Sequence, residues 1–176
     1  PTVAGLAAAK EDDILKMWEG LGYYSRARNM HFAAKQIMLN HGGHFPNDYD
    51  AILALKGIGV YTAAAISSIA FGLKYAVVDG NVLRYICRLK GIEIPKTSSA
   101  CYRLVEKEVL DQMGPHNPGD FNEALMEFGA LYCTPRSPKC EHCFAINGCY
   151  AYKEEKIDFL PIKPKPKEIK KRYFQL

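Results

Sequence analysis

The sequence predicts an all-α fold with a metal-binding loop near its C-terminal end. Apolar residues recur at the three- and four-residue spacing of amphipathic helices through most of the 176 residues, and runs with the alternation of β-strands are few and short. Four cysteines, Cys133, Cys140, Cys143 and Cys149, follow the last predicted helix. A chain of this length is expected to bury a core and to form one or two domains.

Seven helices are predicted from apolar periodicity and from residues typical of helix ends. In chain order they are Ile14–Leu21, Ser25 to the Gly42–Gly43 pair, Asn47 or Asp48 to Leu55, Thr62–Phe71, Asn81–Leu89, Ser99–Met113 and Phe121–Tyr132. Gly20 and Gly22 end the first helix, because glycine readily leaves the helical conformation. Ser25 is the predicted N-cap of the second, since its hydroxyl can accept a hydrogen bond from a first-turn amide.

The net charge of +4 is concentrated at the C-terminal end. Residues 151–176 contain eight Lys or Arg and four Asp or Glu, so the rest of the chain is about neutral. Anion binding outside this tail must therefore come from local arrangement. From Leu160 the chain runs Pro-Ile-Lys-Pro-Lys-Pro-Lys, a composition that predicts a linker or a tail.

The cysteines have the spacing C-x6-C-x2-C-x5-C, which places four thiols within seventeen residues. Thiolates select zinc, Cu(I) or iron–sulfur, and four cysteines are the usual ligands of a [4Fe–4S] cluster. A zinc ribbon is the alternative, but zinc sites usually contain two closely spaced pairs and this loop has one. A pair of disulfides is disfavoured, because the sequence shows no signal peptide and thiols stay reduced in the cytosol.

The predicted organisation is therefore a helical region at 1–132, a cluster loop at 133–150 and a basic, Pro/Lys-rich linker or tail at 151–176. Cys87 and Cys101 lie in apolar helical stretches and are expected in the core. No run of apolar residues approaches the length of a membrane span.

Two short segments carry further signals. Gly57-Ile58-Gly59 lies between two predicted helices, where the glycines permit close approach of a ligand and the amides of the next helix attract phosphate. On this motif alone, a plain helix–helix turn is equally compatible. Asp79 follows an apolar stretch and opens a helix, and taken by itself it would be interpreted as an N-cap.

Taken together, these motifs resemble those of a known family. The sequence stretches concerned are Gly20 to Arg26, Leu55 to Ala63, Val78 to Val82, Asn122 to Leu125 and the four cysteines. The chain is similar over its whole length to the helix–hairpin–helix DNA glycosylases with an iron–sulfur loop, the superfamily of endonuclease III and the MutY-type adenine glycosylases. The resemblance implies the glycosylase fold in truncated form, a [4Fe–4S] cluster, and action on DNA in base excision repair.

Tyr61 indicates the branch of the family. Bifunctional relatives have a lysine two residues after the second hairpin glycine, and that lysine forms a Schiff base with the sugar. A tyrosine cannot form an imine. The sequence thus resembles the monofunctional adenine branch, which implies adenine paired with 8-oxoguanine or guanine in duplex DNA as substrate, with the adenine flipped out of the stack.

The resemblance implies roles for individual residues. Asp79 would stabilise the cationic sugar, because a carboxylate at a helix start is favoured by the amides around it. Asn81 would order the attacking water or Asp79, against the alternative of a polar residue at a helix start. Tyr61 would hydrogen-bond the catalytic carboxylates, against the alternative of packing over the hairpin.

Four further residues are expected at the DNA. By resemblance, Tyr23 would wedge beside the lesion and Arg26 would meet the backbone, against a buried tyrosine and a solvated arginine. Arg136 and Lys139 lie between the first two cysteines, in a six-residue loop that must project its side chains outward. They are expected to contact phosphates.

In the family, a glutamate upstream of the region matched here protonates adenine at N7. No glutamate of this chain, including Glu11, Glu19 and Glu123, lies in the matching motif. The sequence is therefore interpreted as an internal fragment with little activity of its own, and its tail resembles the start of the linker to a Nudix-like domain.

Other functions stay open from the sequence. They are an endonuclease III-like pyrimidine-lesion glycosylase, a non-catalytic DNA-binding iron–sulfur module and an electron carrier, of which the carrier would not need the hairpin or Asp79. A monomer is expected. The expected compartment is the cytoplasm with the nucleoid in a bacterium, or the nucleus or mitochondrion in a eukaryote.

Overall fold

The computed structural model describes residues 2–164, and it confirms the all-α prediction. Within these residues there is no β-strand, and no helix is long and apolar enough to cross a membrane. The α-helices in chain order are α1 (Val3–Ala8), α2 (Glu11–Met17), α3 (Ser25–Asn40), α4 (Tyr49–Leu53), α5 (Val60–Ile69), α6 (Gly80–Lys90), α7 (Ser99–Met113), α8 (Pro118–Leu131) and α9 (Tyr150–Lys153). Two short 3₁₀ helices, Cys140–His142 and Ile146–Gly148, lie in the cysteine loop.

The helices belong to two compact units. The first unit contains the residues up to Val77 together with Met113–Glu123, and the second contains Val78–Gln112 and the residues from Ala124 onward. These units are defined by packing of the chain. The division into residues 1–132, 133–150 and 151–176 was based on sequence motifs, and it stays a prediction. Helix α8 begins in the first unit and ends in the second.

The first unit is built around α3, against which α1 and α2 pack. The face of α3 that is buried carries Ala27, His31, Ala34 and Ile37, at the three- and four-residue spacing of one side of a helix. Asn122 of α8 is fully buried in this unit. Its Oδ1 accepts a hydrogen bond from the Val77 amide at 3.0 Å, and its Nδ2 donates to the Tyr75 carbonyl at 2.9 Å.

The second unit is built on α6 and α7. Helix α6 buries Val82, Tyr85 and Ile86, and it ends at Gly91 in the left-handed conformation with a φ of +67°. A Cβ atom on Gly91 would lie 2.6 Å from the ring of Tyr150, so the close packing of α9 on α6 requires glycine here. Cys87 and Cys101 are fully buried, which confirms their predicted place in the core.

The structure corrects the predicted helices. Ser25 was predicted as an N-cap, but it is the first residue of α3, and the capping position is taken by Tyr24, which makes no side-chain cap hydrogen bond. Helices α1 and α9 were not predicted, because six and four residues are too few for a clear periodicity. Ala151 and Leu160 of the predicted tail are buried, and residues 165–176 lie outside the described part.

Candidate active site and metal centre

Asp79 is the N-cap of α6 and its carboxylate is held from three directions. Its Oδ1 accepts hydrogen bonds from the amides of Asn81 at 2.8 Å and Val82 at 2.7 Å. Its Oδ2 accepts a third from the side-chain Nδ2 of Asn81 at 2.9 Å. The carboxylate is thus fixed in orientation, and it is part-buried rather than fully enclosed. Such a group can stand beside a developing positive charge without rearranging.

Asn81 links Asp79 to the cysteine loop through Arg84. The Oδ1 of Asn81 accepts a hydrogen bond from Nη2 of Arg84 at 2.9 Å. The same guanidinium donates from Nε to the carbonyl of Cys133 at 2.7 Å and from Nη2 to the carbonyl of Gly129 at 2.7 Å. One chain of hydrogen bonds therefore runs from the carboxylate of Asp79 to the first cysteine. Burial lowers the pKa of Arg84, and nearby Cys133 and Asp79 oppose that shift.

Gly129 lets α8 approach the start of α6 closely. A Cβ atom at this position would lie 2.8 Å from the carbonyl oxygen of Asn81 and 2.9 Å from its Cβ atom. Real Cβ atoms do not come so near to backbone, so any side chain here would push α8 away from Asn81. The glycine thereby preserves the geometry of the hydrogen-bonded link.

Arg88, one helical turn after Arg84, anchors the cysteine loop to the segment that follows it. Its side chain is buried, and Nε donates to the carbonyls of Ile157 and Leu160, both at 3.0 Å. Nη1 donates to the carbonyl of Thr134 at 2.7 Å and lies 3.5 Å from Sγ of Cys133. The guanidinium therefore holds the loop through several contacts, and one of them is to a cysteine sulfur.

The four loop cysteines surround one small cavity. Cys133, Cys140, Cys143 and Cys149 all line a space of about 30 Å³, together with mainly apolar and aromatic side chains. None of the four thiols is in a disulfide. Burial raises the thiol pKa of Cys140 and of Cys143. Burial is also the main reason why the pKa of Tyr85 is raised to about 12, and the neighbouring cysteines add to this shift.

Four cysteine thiols are a donor set for zinc, Cu(I) or an iron–sulfur cluster. Within residues 2–164, no group of three or more His, Cys, Asp or Glu side chains is arranged to hold one metal ion. A mononuclear zinc site requires four ligands to meet at one point, about 2.3 Å from each sulfur. A [4Fe–4S] cluster instead distributes four thiolates over four iron atoms. The four thiols line one cavity, so their donor type fits either group.

The hairpin between α4 and α5 has the geometry that its glycines predict. Gly57 has a φ of +83°, and a Cβ atom there would lie 2.5 Å from the Cβ of Asn29, so this position requires glycine. Ile58 is partly buried, and its amide donates to the carbonyl of Leu55 at 3.1 Å. Gly59 is the N-cap of α5 with extended backbone, and a Cβ atom there would meet open space.

The start of α5 is open to a ligand. Gly59 has no side chain to cap the helix, so the first amides of α5 take no hydrogen bond from an N-cap side chain. A helix of ten residues presents a partial positive charge at this end. Tyr61 lies in the first turn with 42% of its surface exposed. Tyr61 belongs to the first unit, whereas Asp79 and Asn81 belong to the second.

Tyr23 lies in the exposed turn before α3, and Arg26 lies in the first turn of that helix. Tyr23 is 81% exposed and has a φ of +47°, a conformation that is rare for residues other than glycine. The guanidinium of Arg26 lies 5.5 Å from the centre of the Tyr23 ring and 5.6 Å from the centre of the Trp18 ring. The alternative of a buried tyrosine is thus wrong, and Arg26 supports the ring by a cation–π contact.

Arg136 and Lys139 project outward from the loop between Cys133 and Cys140, as expected. The hydroxyl of Thr134 donates to the carbonyl of Arg136 at 2.9 Å, which shapes this turn. Nζ of Lys139 lies 5.4 Å from the centre of the Tyr132 ring. Both cations are available to a ligand in solvent.

Sequence reasoning missed Arg84 and Arg88. Both lie on α6, four residues apart, among the apolar residues Val82, Tyr85 and Ile86. Two arginines on the buried side of a helix are unusual, because a guanidinium rarely enters a core without partners. Their position on the helix that Asp79 opens could have indicated a buried role near the site.

Known proteins resemble this chain in sequence. Residues 1–109 match the sequence model of the HhH-GPD superfamily base excision DNA repair proteins. An adenine DNA glycosylase of Mus musculus is 42% identical over 153 residues, which are 86% of this chain and 30% of the mouse protein. One from Buchnera aphidicola subsp. Schizaphis graminum is 38% identical over 180 residues, covering 99% of this chain and 51% of the relative.

The fold also matches a solved structure. A thermostable thymine-DNA glycosylase superposes with a TM-score of 0.77 and 33% identity, over 87% of this chain and 70% of that protein. The chain spans between 23% and 51% of the length of its adenine glycosylase relatives.

Proposed function

Because the chain belongs to the HhH-GPD superfamily of base excision DNA repair proteins, we propose that it serves as the catalytic region of an adenine DNA glycosylase. The reaction is hydrolysis of the N-glycosidic bond of adenine mispaired with 8-oxoguanine or guanine in duplex DNA. The observation that carries this proposal is Asp79, a carboxylate fixed by three hydrogen bonds at a helix start, in a chain related to adenine glycosylases.

The chemistry assigns separate tasks to separate residues. As adenine leaves, positive charge develops at C1′ of the sugar, and the carboxylate of Asp79 stabilises it. Asn81 donates to Oδ2 of Asp79 and keeps that carboxylate in place. Protonation of the base requires an acid, and no glutamate of this chain lies in the family's acid motif. General acid–base help is worth about 10²–10⁴-fold, so adenine release depends on such an acid as well as on Asp79.

The cysteine loop is proposed to bind a [4Fe–4S] cluster through Cys133, Cys140, Cys143 and Cys149. Their shared cavity and the contact of Arg88 with the sulfur of Cys133 support this assignment. When bound, the cluster supplies folding energy to a loop that has little regular structure. The loop then holds its outward cations in a defined position.

DNA binding is proposed at three surfaces. The chain is proposed to act on the duplex as a monomer. The hairpin Gly57-Ile58-Gly59 presents backbone amides to a phosphate. Arg136 and Lys139 offer charges to the backbone, and the exposed ring of Tyr23, supported by Arg26, is placed to stack beside a displaced base.

A substrate panel tests the function. A chain extended at its N-terminal end with the family's acid-bearing segment is incubated with otherwise identical duplexes containing A:8-oxoguanine, A:G, T:G and A:T pairs. Release of adenine from the first two is expected. The T:G duplex tests a second candidate, since the thymine-DNA glycosylase relative is 33% identical. Thymine release without adenine release would replace the adenine assignment by a pyrimidine-lesion assignment.

Tyr61 predicts the absence of a Schiff-base intermediate. Borohydride reduces an imine between a lysine and the sugar into a stable adduct, and tyrosine forms no imine. We therefore expect no trapping by the unmodified residue and measurable trapping and strand nicking by Tyr61→Lys, with Tyr24→Lys as an exposed control. Efficient trapping with Tyr61 in place would contradict the monofunctional mechanism.

A further inference from the structure

A second cavity of the second unit is strongly cationic. It has a volume of about 660 Å³, within the range of about 300–1,000 Å³ that is usual for ligand pockets. Its charged lining residues are five cations and one acid, namely Arg84, Arg88, Lys96, Arg136, Lys163 and Asp158. We call this cavity the cationic pocket.

The floor of the cationic pocket is formed by two buried arginines. Arg84 is 8% exposed and Arg88 3% exposed. Their hydrogen bonds go to backbone carbonyls, to the amide oxygen of Asn81 and to the sulfur of Cys133. Neither forms an ion pair with an acid in the part of the chain that is described. Carbonyl partners satisfy the N–H groups without cancelling the positive charge. Asp79 and Cys133 act on Arg84, but the five cations of the lining outnumber its one acid, so the field in the pocket favours an anion.

The rim adds three exposed cations, Lys96, Arg136 and Lys163. None of them takes part in the four ion pairs between described residues. The amide of Lys96 donates to the carbonyl of Ile162 at 3.0 Å, which holds the segments of Lys96 and Lys163 side by side. Two lysines on adjoining segments therefore face the same cavity as Arg136 of the cysteine loop. Asp158 is the one acid that lines it.

We propose that the cationic pocket binds a phosphate group, either a phosphodiester of the DNA backbone or the phosphate of a free nucleotide. Phosphate suits the pocket because its charge is spread over several oxygens that lysine and arginine can approach together. The DNA alternative rests on the proposed function and adds Lys96 and Lys163 to the interface. Nucleotide binding would stand independently of it.

Two lysine variants and a matched control test the pocket. Lys96→Gln, Lys163→Gln and the double variant are compared with Lys153→Gln, which removes a charge from an exposed lysine of α9 outside the pocket. Duplex affinity is measured by fluorescence anisotropy across salt concentrations, and dAMP binding is measured by calorimetry at low salt. Circular dichroism checks that each variant is folded, as expected for exposed side chains.

If DNA occupies the pocket, the salt slope becomes shallower by about 0.9 for each pocket lysine and stays unchanged for Lys153→Gln. If a nucleotide occupies it, dAMP binds the unmodified protein and not the double variant, while the duplex slope stays the same. Equal effects of all three single variants on the slope, or no effect on either ligand, would overturn the proposal. Failure of the unmodified chain to bind duplex DNA would contradict the proposed function instead, and the dAMP arm would still decide the pocket.

Discussion

At the scale of residues, the orientation of Asp79 depends on a sequence of neighbours. Asn81 holds the carboxylate, Arg84 holds Asn81, and the backbone carbonyls of Gly129 and Cys133 hold Arg84. Because each step is a hydrogen bond in a part-buried setting, loss of one partner leaves another polar group unsatisfied. A continuous series of hydrogen bonds therefore connects the cysteine loop to the candidate catalytic carboxylate.

Replacement of Arg84 by lysine tests this connection. Lysine keeps the charge but lacks the planar fork that reaches Asn81, Gly129 and Cys133 together. We expect the free energy of unfolding in urea to fall by about 1–3 kcal/mol, because a buried carbonyl or amide loses its donor. The control is Arg103→Lys on the exposed side of α7, expected within about 0.5 kcal/mol of the unmodified chain. Equal unfolding midpoints for the two variants would show that the link is dispensable.

Among the structural elements, the hairpin and the cysteine loop are short segments whose function depends on backbone conformation. In the hairpin, the two glycines have different reasons to be glycine. Gly57 has a positive φ and faces Asn29, whereas Gly59 has an ordinary φ of −101° and faces open space. The first position is demanded by the fold, and the second leaves room for a ligand.

The two glycines therefore predict opposite phenotypes. Gly57→Ala is expected to lower the free energy of unfolding by about 1–3 kcal/mol, since alanine is strained at positive φ and its methyl group would meet Asn29. Gly59→Val is expected to cost less than about 1 kcal/mol, the size of a capping preference, and yet to weaken duplex binding. Its salt slope should change little, because no charge is lost. Unimpaired binding by Gly59→Val would remove the hairpin amides from the interface.

The cysteine loop predicts a brown protein containing about four irons per chain. Cys143→Ser is expected to lose the visible absorbance and much of the iron, and to weaken DNA binding because the loop no longer holds its cations. Cys87→Ala, in the core of α6 and outside the loop, is the control that should retain iron. The measurement is metal analysis beside the absorbance spectrum. About one zinc per chain and no iron would identify a zinc site instead.

At the scale of the whole molecule, long helices could be predicted and interactions between distant segments could not. Helix α7 has the predicted bounds, and the other long helices agree within a few residues, since their apolar periodicity is strong. The four cysteines and Asp79 also stand out by spacing and position. The roles of Arg84 and Arg88 depend on carbonyls between 45 and 72 residues away, and no local pattern specifies such partners.

The failed N-cap at Ser25 shows the limit of local chemistry in the same way. A serine before an apolar periodic run is a good capping signal, yet here the helix starts at Ser25 itself after a turn in which Tyr23 has positive φ. The amide of Arg26 donates to the Tyr23 carbonyl at 2.9 Å, so the turn rather than a side chain begins the helix. The exposed ring of Tyr23, which the proposed DNA contact needs, is a product of that turn.

The central claim is that Asp79 supports cleavage of the adenine glycosidic bond, and single-turnover adenine release tests it most directly. The N-terminally extended chain, its Asp79→Asn variant and a matched Asp120→Asn control in the first turn of α8 are compared on an A:8-oxoguanine duplex. We expect release by the extended chain and by the control, and a rate at least about 10²-fold lower for Asp79→Asn, because an amide cannot neutralise the sugar's charge. Comparable rates for Asp79→Asn and the unmodified extended chain would contradict it.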